Sequence, residues 1–551
     1  MKNMIEQNLI KTYENSFKKN WELPALTDYK GDASYTYGEL AHEIAKFHLL
    51  FSELGIEKGD KISLVGKNHS SWSIIFMATI TYGAVIVPIL HEFNPESIES
   101  IIDHSNSKLV FINKTLWDNL NSDNIKVTSI VSPSFKLLKS EEDKTKNIVN
   151  SIDTLFQQTY PGSFTKEDIK YPNVDNSEVV CINYTSGTTG FSKGVMLTAN
   201  NFAGNITYAG KLNLLFPGER ILAFLPMAHV YGCAFDFLYS LATGVHITLL
   251  GVSPTPQNLI SALDEVKPNI IITVPLIFEK IYKKKILPII SQPTIKFLLK
   301  IKGVDSLILN KIKKSLTKSL GGNFREVIIG GAALSAEVES FFYRMGFPFT
   351  VGYGMTECAP LISYDNNKDF IPTSCGSVLK DIMEARIDSE DPENIPGEIQ
   401  VRGENVMIGY YRNEEATKAA FTDDGWLKTG DLGVMRGNRL FIKGRLKTMI
   451  LTANGQNIYP EEIESRLNNL PYISDSVVIL RENKLVALVY PDKEAVKSDN
   501  ISAEKLIELM ETNKGLLNKV VAKYERLSSI EIMENEFEKT PKKSIKRYLY
   551  Q

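Results

Sequence analysis

The sequence predicts an α/β protein with a large N-terminal domain of stacked αβ layers and a small C-terminal α+β domain. Residues 35–90 alternate helical and strand patterns at the spacing of strand–helix–strand units, which implies right-handed crossovers and a parallel sheet. The alternation returns between Leu109 and Val131 and again between Ile221 and Ile272. After Arg445 the chain changes to a separate unit of about a hundred residues.

Each predicted element rests on a local pattern of apolar residues. Short β-branched runs bounded by glycine predict buried strands, and longer amphipathic stretches predict helices. In the large domain we predict strands at 59–65, 84–88, 109–112 and 126–131, with helices opening at 37 and 72. In the small domain we predict a helix from 459, paired strands at 476–480 and 485–489, and two helices at 503–513 and 514–523.

Length, composition and charge describe a globular protein of several domain-sized units. A chain of 551 residues is too long for one hydrophobic core. Its 43% of hydrophobic and 23% of charged residues are ordinary for a globular protein. The net charge of -3 argues against a nucleic-acid partner.

The cysteines and the apolar runs indicate the cellular compartment of the protein. The four cysteines are scattered without a CxxC pair, which favours reduced thiols in a cytosolic protein. The first eight residues contain no apolar run typical of a secretory signal. The longest apolar run, between Ile74 and Leu90, is too short and too interrupted for a transmembrane helix. We therefore expect a cytoplasmic protein, with peripheral attachment to a membrane left open.

Residues 281–318 form a lysine-rich segment with two open interpretations. The segment holds ten lysines and a single acid, Asp305, interleaved with isoleucine, leucine and phenylalanine. A basic amphipathic segment is typical of contact with a membrane surface. The alternative is a solvated helical hairpin whose apolar face packs on its own domain.

The loop from Tyr184 to Gly194 is the most informative stretch of the chain. It lies between two predicted buried strands and contains five Ser/Thr hydroxyls, three glycines and one lysine. Glycine lets backbone N–H groups face an anion, hydroxyls add donors or a metal ligand, and lysine adds a point charge. A surface loop of this composition is the plain alternative to a polyphosphate site. The loop is not a Walker A motif, because Lys193 follows Gly190 by three residues and Gly194 replaces the hydroxyl.

The order of residues in this loop resembles the phosphate loop of the adenylate-forming superfamily, which contains acyl-CoA synthetases, nonribosomal peptide adenylation domains and luciferases. Further motifs follow in the family's order, so the resemblance covers nearly the whole chain. It implies that the loop binds ATP and that Thr185 also contacts a metal. The implied ATP-binding positions of the loop are Thr185, Ser186, Gly187, Thr188, Thr189, Gly190 and Lys193.

The resemblance also implies the domain organisation. Residues 1–446 are expected to form the N-terminal adenylate-forming domain, which binds ATP and the acyl group and includes a β subdomain. Residues 447–551 are expected to form a small mobile domain that switches between adenylation and thioester formation. Lys447 lies at the position of the family hinge.

A second signature, Val-Gly-Tyr-Gly-Met-Thr-Glu, occupies residues 351–357. An aromatic residue flanked by glycines is exposed enough to stack on a base, and a carboxylate suits a hard cation. By resemblance, Tyr353 between Gly352 and Gly354 stacks on adenine. Thr356 contacts the α-phosphate, and Glu357 ligates Mg2+.

Two further stretches are expected to hold the nucleoside. Gly331, Ala332 and Ala333 follow a predicted strand, and small residues there let a flat ring lie against the backbone. Alone, this would be an ordinary strand–turn–helix. Asp431, in a Thr-Gly-Asp turn, can accept both ribose hydroxyls, and Arg445 is expected by resemblance to contact ribose or phosphate.

His229 is the histidine most expected to act in the reaction. Its Pro-x-x-His-x-x-Gly setting follows a strand and resembles the acyl-CoA synthetase histidine beside the acyl carboxylate. The nearby stretch 274–281 is similar to the matching segment of long-chain acyl-CoA synthetases, which favours the membrane interpretation of the lysines that follow.

The C-terminal segment departs from the family pattern. The family's catalytic lysine sits immediately before an Ile-x-Arg ending, and an ungapped alignment places Ser544 there. Serine carries no positive charge. Lys543 is one residue away and Lys546 two, so either could replace it, and we take Lys543 as the catalytic candidate.

These observations favour an AMP-forming acyl-CoA synthetase for medium- or long-chain fatty acids, using ATP, Mg2+ and coenzyme A. The residues expected to act in catalysis are Lys193, His229, Glu357 and Lys543. One alternative makes acyl-AMP for a separate acyl carrier protein. Another, motivated by Ser544, is a catalytically silent nucleotide- or acyl-binding protein. An amino-acid-adenylating domain would need an attached carrier serine in a Leu-Gly-x-[Asp/His]-Ser setting, and the stretch from Leu320 to Phe324 lacks that serine.

Overall fold

The structure is a computed structural model, and it describes residues 5, 7–131, 136–140, 142–185, 193–451, 457–482, 484–540 and 544–550. The strands are β1 Pro24–Asp28, β2 Ser34–Thr36, β3 Lys61–Gly66, β4 Val85–Leu90, β5 Ser107–Ile112, β6 Thr128–Val131, β7 Leu137–Lys139, β8 Val179–Thr185, β9 Lys193–Thr198, β10 Arg220–Ala223, β11 His246–Leu249, β12 Ile270–Thr273, β13 Glu326–Ile329, β14 Phe349–Val351, β15 Tyr353–Gly354, β16 Leu361–Ser363, β17 Met383–Asp388, β18 Gly397–Gly403, β19 Gly409–Tyr410, β20 Leu427–Arg436, β21 Arg439–Arg445, β22 Ile450–Leu451, β23 Asn457–Ile458, β24 Ile473–Arg481, β25 Lys484–Pro491 and β26 Leu527–Ile532.

The helices connect these strands, mostly one between successive parallel strands. They are α1 Leu9–Lys19, α2 Tyr37–Glu53, α3 Ser70–Tyr82, α4 Pro95–Ser105, α5 Lys114–Trp117, α6 Asp143–Thr159, α7 Ala199–Lys211, α8 Ser240–Thr243, α9 Pro256–Val266, α10 Pro275–Ile281, α11 Leu287–Ile290, α12 Pro293–Leu298, α13 Val304–Ser319, α14 Ala336–Arg344, α15 Glu414–Ala420, α16 Pro460–Leu467, α17 Lys493–Ser498 and α18 Ala503–Asn518. Two further segments, Gly232–Tyr239 and Tyr282–Ile286, are π-helical.

The largest sheet has eight strands in the order β19-β9-β8-β4-β3-β5-β6-β7. Its middle strands are parallel, as the strand–helix–strand pattern predicts. The helix α2 begins at the predicted residue, because Thr36 and Glu39 form a capping box there. The helix α3 is buried along nearly its whole length, which makes it a core helix between layers.

The strands that carry the site motifs belong to several different sheets. The antiparallel hairpin β8–β9 holds the two ends of the phosphate loop. A second sheet, β10-β11-β1-β2, and a third, β12-β13-β14, complete the α/β layers. Since β12 and β13 are parallel neighbours, the segments after Thr273 and Ile329 leave from the same edge.

The predicted β subdomain is the antiparallel sheet β17-β18-β20-β21. It places Asp431 on β20 directly opposite Arg445 on β21. A one-residue shift of this register would move one of the two side chains to the other face of the sheet. The sheet therefore fixes the pairing of the two predicted nucleoside contacts.

The C-terminal part of the chain packs around its own core. One hydrophobic cluster runs from Ile5 to Leu440, and two separate clusters lie between Ile458 and Phe537. The predicted pair of strands is present as antiparallel β24 and β25, with β26 parallel to β25. A large and a small domain, both mixed α and β, confirm the predicted fold class.

One predicted division in the small domain is wrong. The two helices expected at 503–513 and 514–523 are a single helix, α18, that ends at Asn518. Asn513 continues the helix and its amide donates to the carbonyl oxygen of Pro471 at 2.9 Å. Gly515 is accommodated within the helix, so neither residue interrupts it.

The lysine-rich segment forms a π-helical segment and three short to medium helices, α11, α12 and α13. The last of these buries Leu309 and Leu316 and contacts α9, as the hairpin interpretation requires. Phe297, Ile301 and Leu307 are exposed instead, at 66%, 39% and 71%. Within the described residues, no helix combines the length and apolar character needed to cross a bilayer.

Candidate active site

One cavity of about 2200 Å³ brings the predicted site residues together. Its wall includes residues of both domains, so it lies where the two meet. The predicted residues on the wall are Thr185, Lys193, His229, Gly331, Ala332, Ala333, Gly352, Tyr353, Gly354, Thr356, Glu357, Asp431, Arg445 and Lys447. The predicted positions Ser186, Gly187, Thr188, Thr189, Gly190 and Lys543 lie outside the described residues.

Thr185 and Lys193 are paired where β8 and β9 meet the phosphate loop. The Thr185 hydroxyl donates to the carbonyl oxygen of Lys193 at 3.5 Å. At the next residue, Gly194, a Cβ would lie 2.9 Å from Ile182 and 3.0 Å from the Tyr184 ring. This crowding explains why residue 194 is a glycine.

Tyr410 links the phosphate strand to Glu357. Strand β19 pairs with β9 so that Tyr410 lies opposite Val195. The Lys193 ammonium lies 4.7 Å from the centre of the Tyr410 ring. The Tyr410 hydroxyl donates to Glu357 Oε1 at 2.9 Å. Burial, together with the nearby Glu357 carboxylate, raises the pKa of Tyr410, so the hydroxyl keeps its proton and donates.

Glu357 lies in a short 3₁₀ turn, Thr356–Cys358, directly after β15. Its carbonyl oxygen accepts from the backbone N–H of Met407 at 2.8 Å. Gly354 approaches the Pro360 carbonyl so closely that any Cβ would clash. The second signature therefore needs its second glycine for packing, and the turn carries Glu357 to the cavity wall.

Asp431 is a buried carboxylate whose two oxygens are both engaged. Its Oδ2 accepts from the Tyr353 hydroxyl at 2.7 Å, and its Oδ1 lies 3.1 Å from Arg445 Nε. Burial raises the pKa of Asp431, and the Arg445 charge opposes that rise. The contacts fix the Tyr353 ring on the wall, at the boundary between the second signature and the β subdomain.

The loop after β13 is shaped by two glycines and held at its far end. Gly331 has a φ of +86°, which glycine adopts without strain. A Cβ at Gly330 would lie 3.0 Å from the Tyr231 ring. The Ser335 N–H donates to Glu279 Oε1 at 3.1 Å, and the Ser335 hydroxyl oxygen accepts from Asn469 of the small domain. The loop thus reaches the interface between the domains.

His229 occupies a turn between β10 and the π-helical segment that begins at Gly232. Its N–H donates to the Pro226 carbonyl at 2.9 Å. The Tyr231 N–H donates to His229 Nδ1 at 3.3 Å. Because Nδ1 accepts, the proton of a neutral ring is on Nε2. Much of the cavity wall is apolar, and its members include Phe235, Leu250, Leu259, Leu263, Ile272 and Leu320.

The C-terminal segment places Ser544 and Lys546 on the wall of the same cavity. Lys539 and Ile545 form an antiparallel bridge that folds the segment back on itself. Lys546 Nζ lies 3.2 Å from Glu538 Oε2. Arg547 is paired with the buried Glu464 at 2.6 Å. The two described cations that follow Ser544 therefore already have acidic partners.

Two acids on the cavity wall, Glu339 and Glu461, and Tyr410 are the features that the sequence analysis missed. Glu461 Oε1 accepts from the Thr448 hydroxyl at 2.5 Å, whereas its Oε2 is buried without a hydrogen-bond partner among the described residues. Burial raises the pKa of Glu339 to about 7. Glu461 belongs to an acidic helix start, which sequence alone explains by capping and the helix dipole. In the sequence, the two adjacent tyrosines at 410 and 411 are the feature that could have pointed to Tyr410.

Magnesium fits this cavity only together with phosphate oxygens. Among the described residues there is no group of three His, Cys, Asp or Glu side chains that could hold a metal. Glu357 and Thr185 bring one carboxylate and one hydroxyl to the wall. Mg2+ usually takes one or two protein carboxylates and completes its shell with water and substrate phosphates. The donor set therefore suits a metal that arrives with a nucleotide.

Known protein families and proteins match most of this chain. The family described as AMP-binding enzyme matches residues 13–411, and the AMP-binding enzyme C-terminal domain matches residues 447–550. The long-chain-fatty-acid–CoA ligase FadD15 of Mycobacterium tuberculosis is 30% identical over 487 residues, covering 84% of this chain and 78% of that protein. The peroxisomal long chain acyl-CoA synthetase 7 of Arabidopsis thaliana is 30% identical over 517 residues, covering 86% and 71%.

Solved structures share the fold at lower identity. An ATP-bound RpMatB-BxBclM chimera superposes with a TM-score of 0.77 at 22% identity, covering 98% of this chain and 97% of that one. The O-succinylbenzoate coenzyme A synthetase of Bacillus subtilis, in complex with AMP, gives a TM-score of 0.74 at 20% identity, covering 99% and 98%. At these identities the likeness establishes the fold.

Proposed function

The chain belongs to the AMP-binding enzyme family, and on that premise we propose that it activates a medium- or long-chain fatty acid with ATP and transfers it to coenzyme A. In the first half-reaction a carboxylate oxygen attacks the α-phosphorus of ATP, forming acyl-AMP and releasing pyrophosphate. In the second, the coenzyme A thiol attacks the acyl carbonyl, and AMP leaves. The observation that carries the proposal is a single cavity whose wall joins the phosphate strands, Glu357, the Asp431–Arg445 pair and a broad apolar region.

The apolar part of the wall supports a fatty acid as the substrate. Each methylene that leaves water contributes about 0.8 kcal/mol to binding, so an apolar wall favours long chains. The relatives named as long-chain-fatty-acid–CoA ligase and long chain acyl-CoA synthetase support the same choice. His229, which reaches the cavity from the turn after β10, is proposed to lie beside the acyl carboxylate.

The ATP site is proposed to extend from the phosphate loop to the β subdomain. Lys193, at the start of β9, would neutralise phosphate charge, together with hydroxyl and N–H donors of the loop. Asp431 would accept the ribose hydroxyls, exchanging its present partners for them, and Arg445 would contact ribose or phosphate. Tyr353 would stack on adenine, against the small residues Gly331–Ala333.

Mg2+ is proposed to bind through Glu357 and Thr185 together with phosphate oxygens of ATP. When bound, it would offset negative charge as the carboxylate approaches the α-phosphate. Tyr410 already orients Glu357 toward the wall through its hydroxyl. The chain itself would contribute the Glu357 carboxylate and the Thr185 hydroxyl as ligands for a metal that is bound to the nucleotide.

The small domain is proposed to change its position between the two half-reactions. We propose the boundary at 446/447 and Lys447 as the hinge, which is supported by the exposed turn between β21 and β22 in which Lys447 lies. In the present arrangement, Lys283 donates to the carbonyl oxygens of Asn468 and Ile473 in the small domain. Part of the lysine-rich segment therefore holds the small domain, a role that neither sequence interpretation included.

The rest of the lysine-rich segment is proposed to contact a membrane surface. Its exposed Phe297, Ile301 and Leu307 stand among lysines of α12, α13 and the turn between them. Apolar side chains at a basic surface fit an anionic bilayer, where each lysine contributes about 1 kcal/mol. This contact would be peripheral and would bring the enzyme to its acyl substrate.

Fatty-acid-dependent exchange of labelled pyrophosphate into ATP tests the first half-reaction by itself. The proposal expects exchange without coenzyme A, and acyl-CoA as the product once coenzyme A is added. Exchange with no acyl-CoA, but with transfer to an acyl carrier protein, would favour the acyl-AMP ligase alternative. Binding of ATP without any exchange would favour the silent binding protein that Ser544 suggests.

A further inference from the structure

We infer that Tyr410 is a positioning residue of the ATP site, which keeps the Lys193 ammonium and the Glu357 carboxylate apart and ready for phosphate and metal. The inference rests on the proposed ATP site. Tyr410 contacts both charged groups, one through its ring and one through its hydroxyl, and all three side chains line the cavity. It belongs to none of the motifs that the sequence analysis identified.

Hydrogen bonds hold the backbone that carries Tyr410 from several directions. Its own N–H donates to the Thr417 hydroxyl at 2.9 Å. The next N–H, of Tyr411, donates to the Gly194 carbonyl at 2.8 Å, which attaches β19 to the phosphate strand. The Met407 N–H donates to the Glu357 carbonyl at 2.8 Å, which attaches the same segment to the second signature. Tyr410 thus stands on the segment that joins the two motifs.

The geometry gives the ring and the hydroxyl separate tasks. A lysine ammonium over an aromatic face is attracted by the ring quadrupole. The hydroxyl at the other end of the ring donates to the carboxylate. Without this spacer the ammonium and the carboxylate would attract each other, and a direct ion pair would occupy the charges that the phosphates and the metal need. Among the described residues, the Lys193 ammonium contacts the Tyr410 ring and the Glu357 carboxylate contacts the Tyr410 hydroxyl. Lys193 and Glu357 do not form an ion pair with each other there.

Two substitutions separate the tasks. Tyr410→Phe keeps the ring over Lys193 and removes the donor to Glu357, whereas Tyr410→Leu removes both. We expect Tyr410→Leu to weaken binding of a non-hydrolysable ATP analogue roughly tenfold, in line with contacts to charged groups. Tyr410→Phe should keep most of the affinity measured without metal and lose its enhancement by Mg2+. Calorimetry with the analogue, with and without Mg2+, measures both quantities independently of turnover.

A double-mutant cycle tests whether the hydroxyl acts through Glu357. If it does, adding Tyr410→Phe to Glu357→Gln changes the analogue affinity by less than about twofold, because coupled sites are not additive. In turnover, the KM for ATP should rise more than kcat falls, since the residue prepares the binding site. Tyr411→Phe, which removes the neighbouring hydroxyl from a ring that does not line the cavity, is the matched control.

Thermal unfolding of each variant separates positioning from folding. The inference is overturned if Tyr410→Leu keeps its melting temperature and binds the analogue like the wild type, or if the Tyr410→Phe and Glu357→Gln effects simply add. It is also overturned if Tyr411→Phe weakens binding as much as Tyr410→Phe. If the wild type itself does not bind the analogue, the proposed ATP site fails, and the inference fails with it.

Discussion

Lys193 begins β9 and holds its ammonium over the Tyr410 ring, on the wall of the cavity. Replacing it with alanine removes a charge-assisted contact to phosphate, which contributes roughly 1.5–3 kcal/mol. That energy corresponds to a factor of about ten to a hundred, so we expect Lys193→Ala to slow pyrophosphate release by about that factor. Lys211→Ala, an exposed lysine at the end of α7, is the control. An unchanged rate in Lys193→Ala would remove the residue from the ATP site.

Ser544 stands where the family pattern leads us to expect a lysine, so its neighbours are the candidates to supply that charge. Lys546 is paired with Glu538 and Arg547 with Glu464, so Lys543 is proposed to serve. The attacking carboxylate and the α-phosphate repel, and an ammonium between them acts most strongly in the transition state. We expect Lys543→Ala to slow adenylate formation by orders of magnitude and to spare thioester formation from preformed acyl-AMP.

The companion variants distinguish the alternatives at this position. Ser544→Lys should preserve or raise the rate of adenylate formation. If Lys543→Ala forms adenylate at the wild-type rate and Lys546→Ala forms it far more slowly, the role belongs to Lys546. If both alanine variants are neutral and Ser544→Lys creates activity from none, the natural chain is a silent binding protein. Single-turnover formation of acyl-AMP measures all four proteins on one scale.

Glu339 is a buried acid on the cavity wall, and burial raises its pKa to about 7 from 4.5. A carboxyl whose pKa is raised in the folded state contributes stability below its unfolded pKa, and that stability is lost as pH rises through about 7. The free energy of unfolding is expected to fall by roughly 3 kcal/mol as the pH rises from 4.5 to about 7. Glu339→Gln should flatten this part of the pH dependence. Equal slopes for both proteins in urea unfolding between pH 5 and 8 would contradict the assignment.

At the scale of elements, α12, α13 and the turn between them carry the membrane prediction. Lysine contacts with an anionic surface decay over a Debye length, so binding to vesicles should weaken as salt rises. Replacing Phe297, Ile301 and Leu307 with serine should lower the binding that remains at high salt. Co-sedimentation with anionic and with neutral vesicles measures the salt-dependent contribution of the lysines and the apolar contribution that remains at high salt. Absent or salt-independent binding of the wild type would leave these helices as a solvated hairpin.

Local patterns predicted the strands and helix starts well where a local signal exists. The helix α2 begins at its capping box, and β4 and β5 are found where β-branched runs lie between turns. The break expected after Asn513 is absent, because α18 is held from outside by the contact of Asn513 with Pro471. The π-helical segments at Gly232–Tyr239 and Tyr282–Ile286 have no sequence signature, since their apolar spacing resembles that of an ordinary helix.

At the scale of the whole molecule, the motifs predicted which residues share a cavity but not how they touch. Thr185, Glu357 and Asp431 were assigned to one site from three distant stretches, and all three line it. The Tyr353–Asp431 bond and the Tyr410 bridge depend on the register of β20 and on the pairing of β19 with β9. Such contacts arise from tertiary packing, and a single sequence contains no local record of them.

The central claim is that this cavity makes acyl-CoA from a fatty acid, ATP and coenzyme A, and one measurement tests it most directly. AMP release is followed over saturated acids of graded length, with and without coenzyme A. We predict sustained release only with coenzyme A, and a kcat/KM that rises by up to about fourfold per added methylene until the apolar wall is filled. AMP release that is independent of the acid or of coenzyme A, or no AMP from any acid, would contradict it.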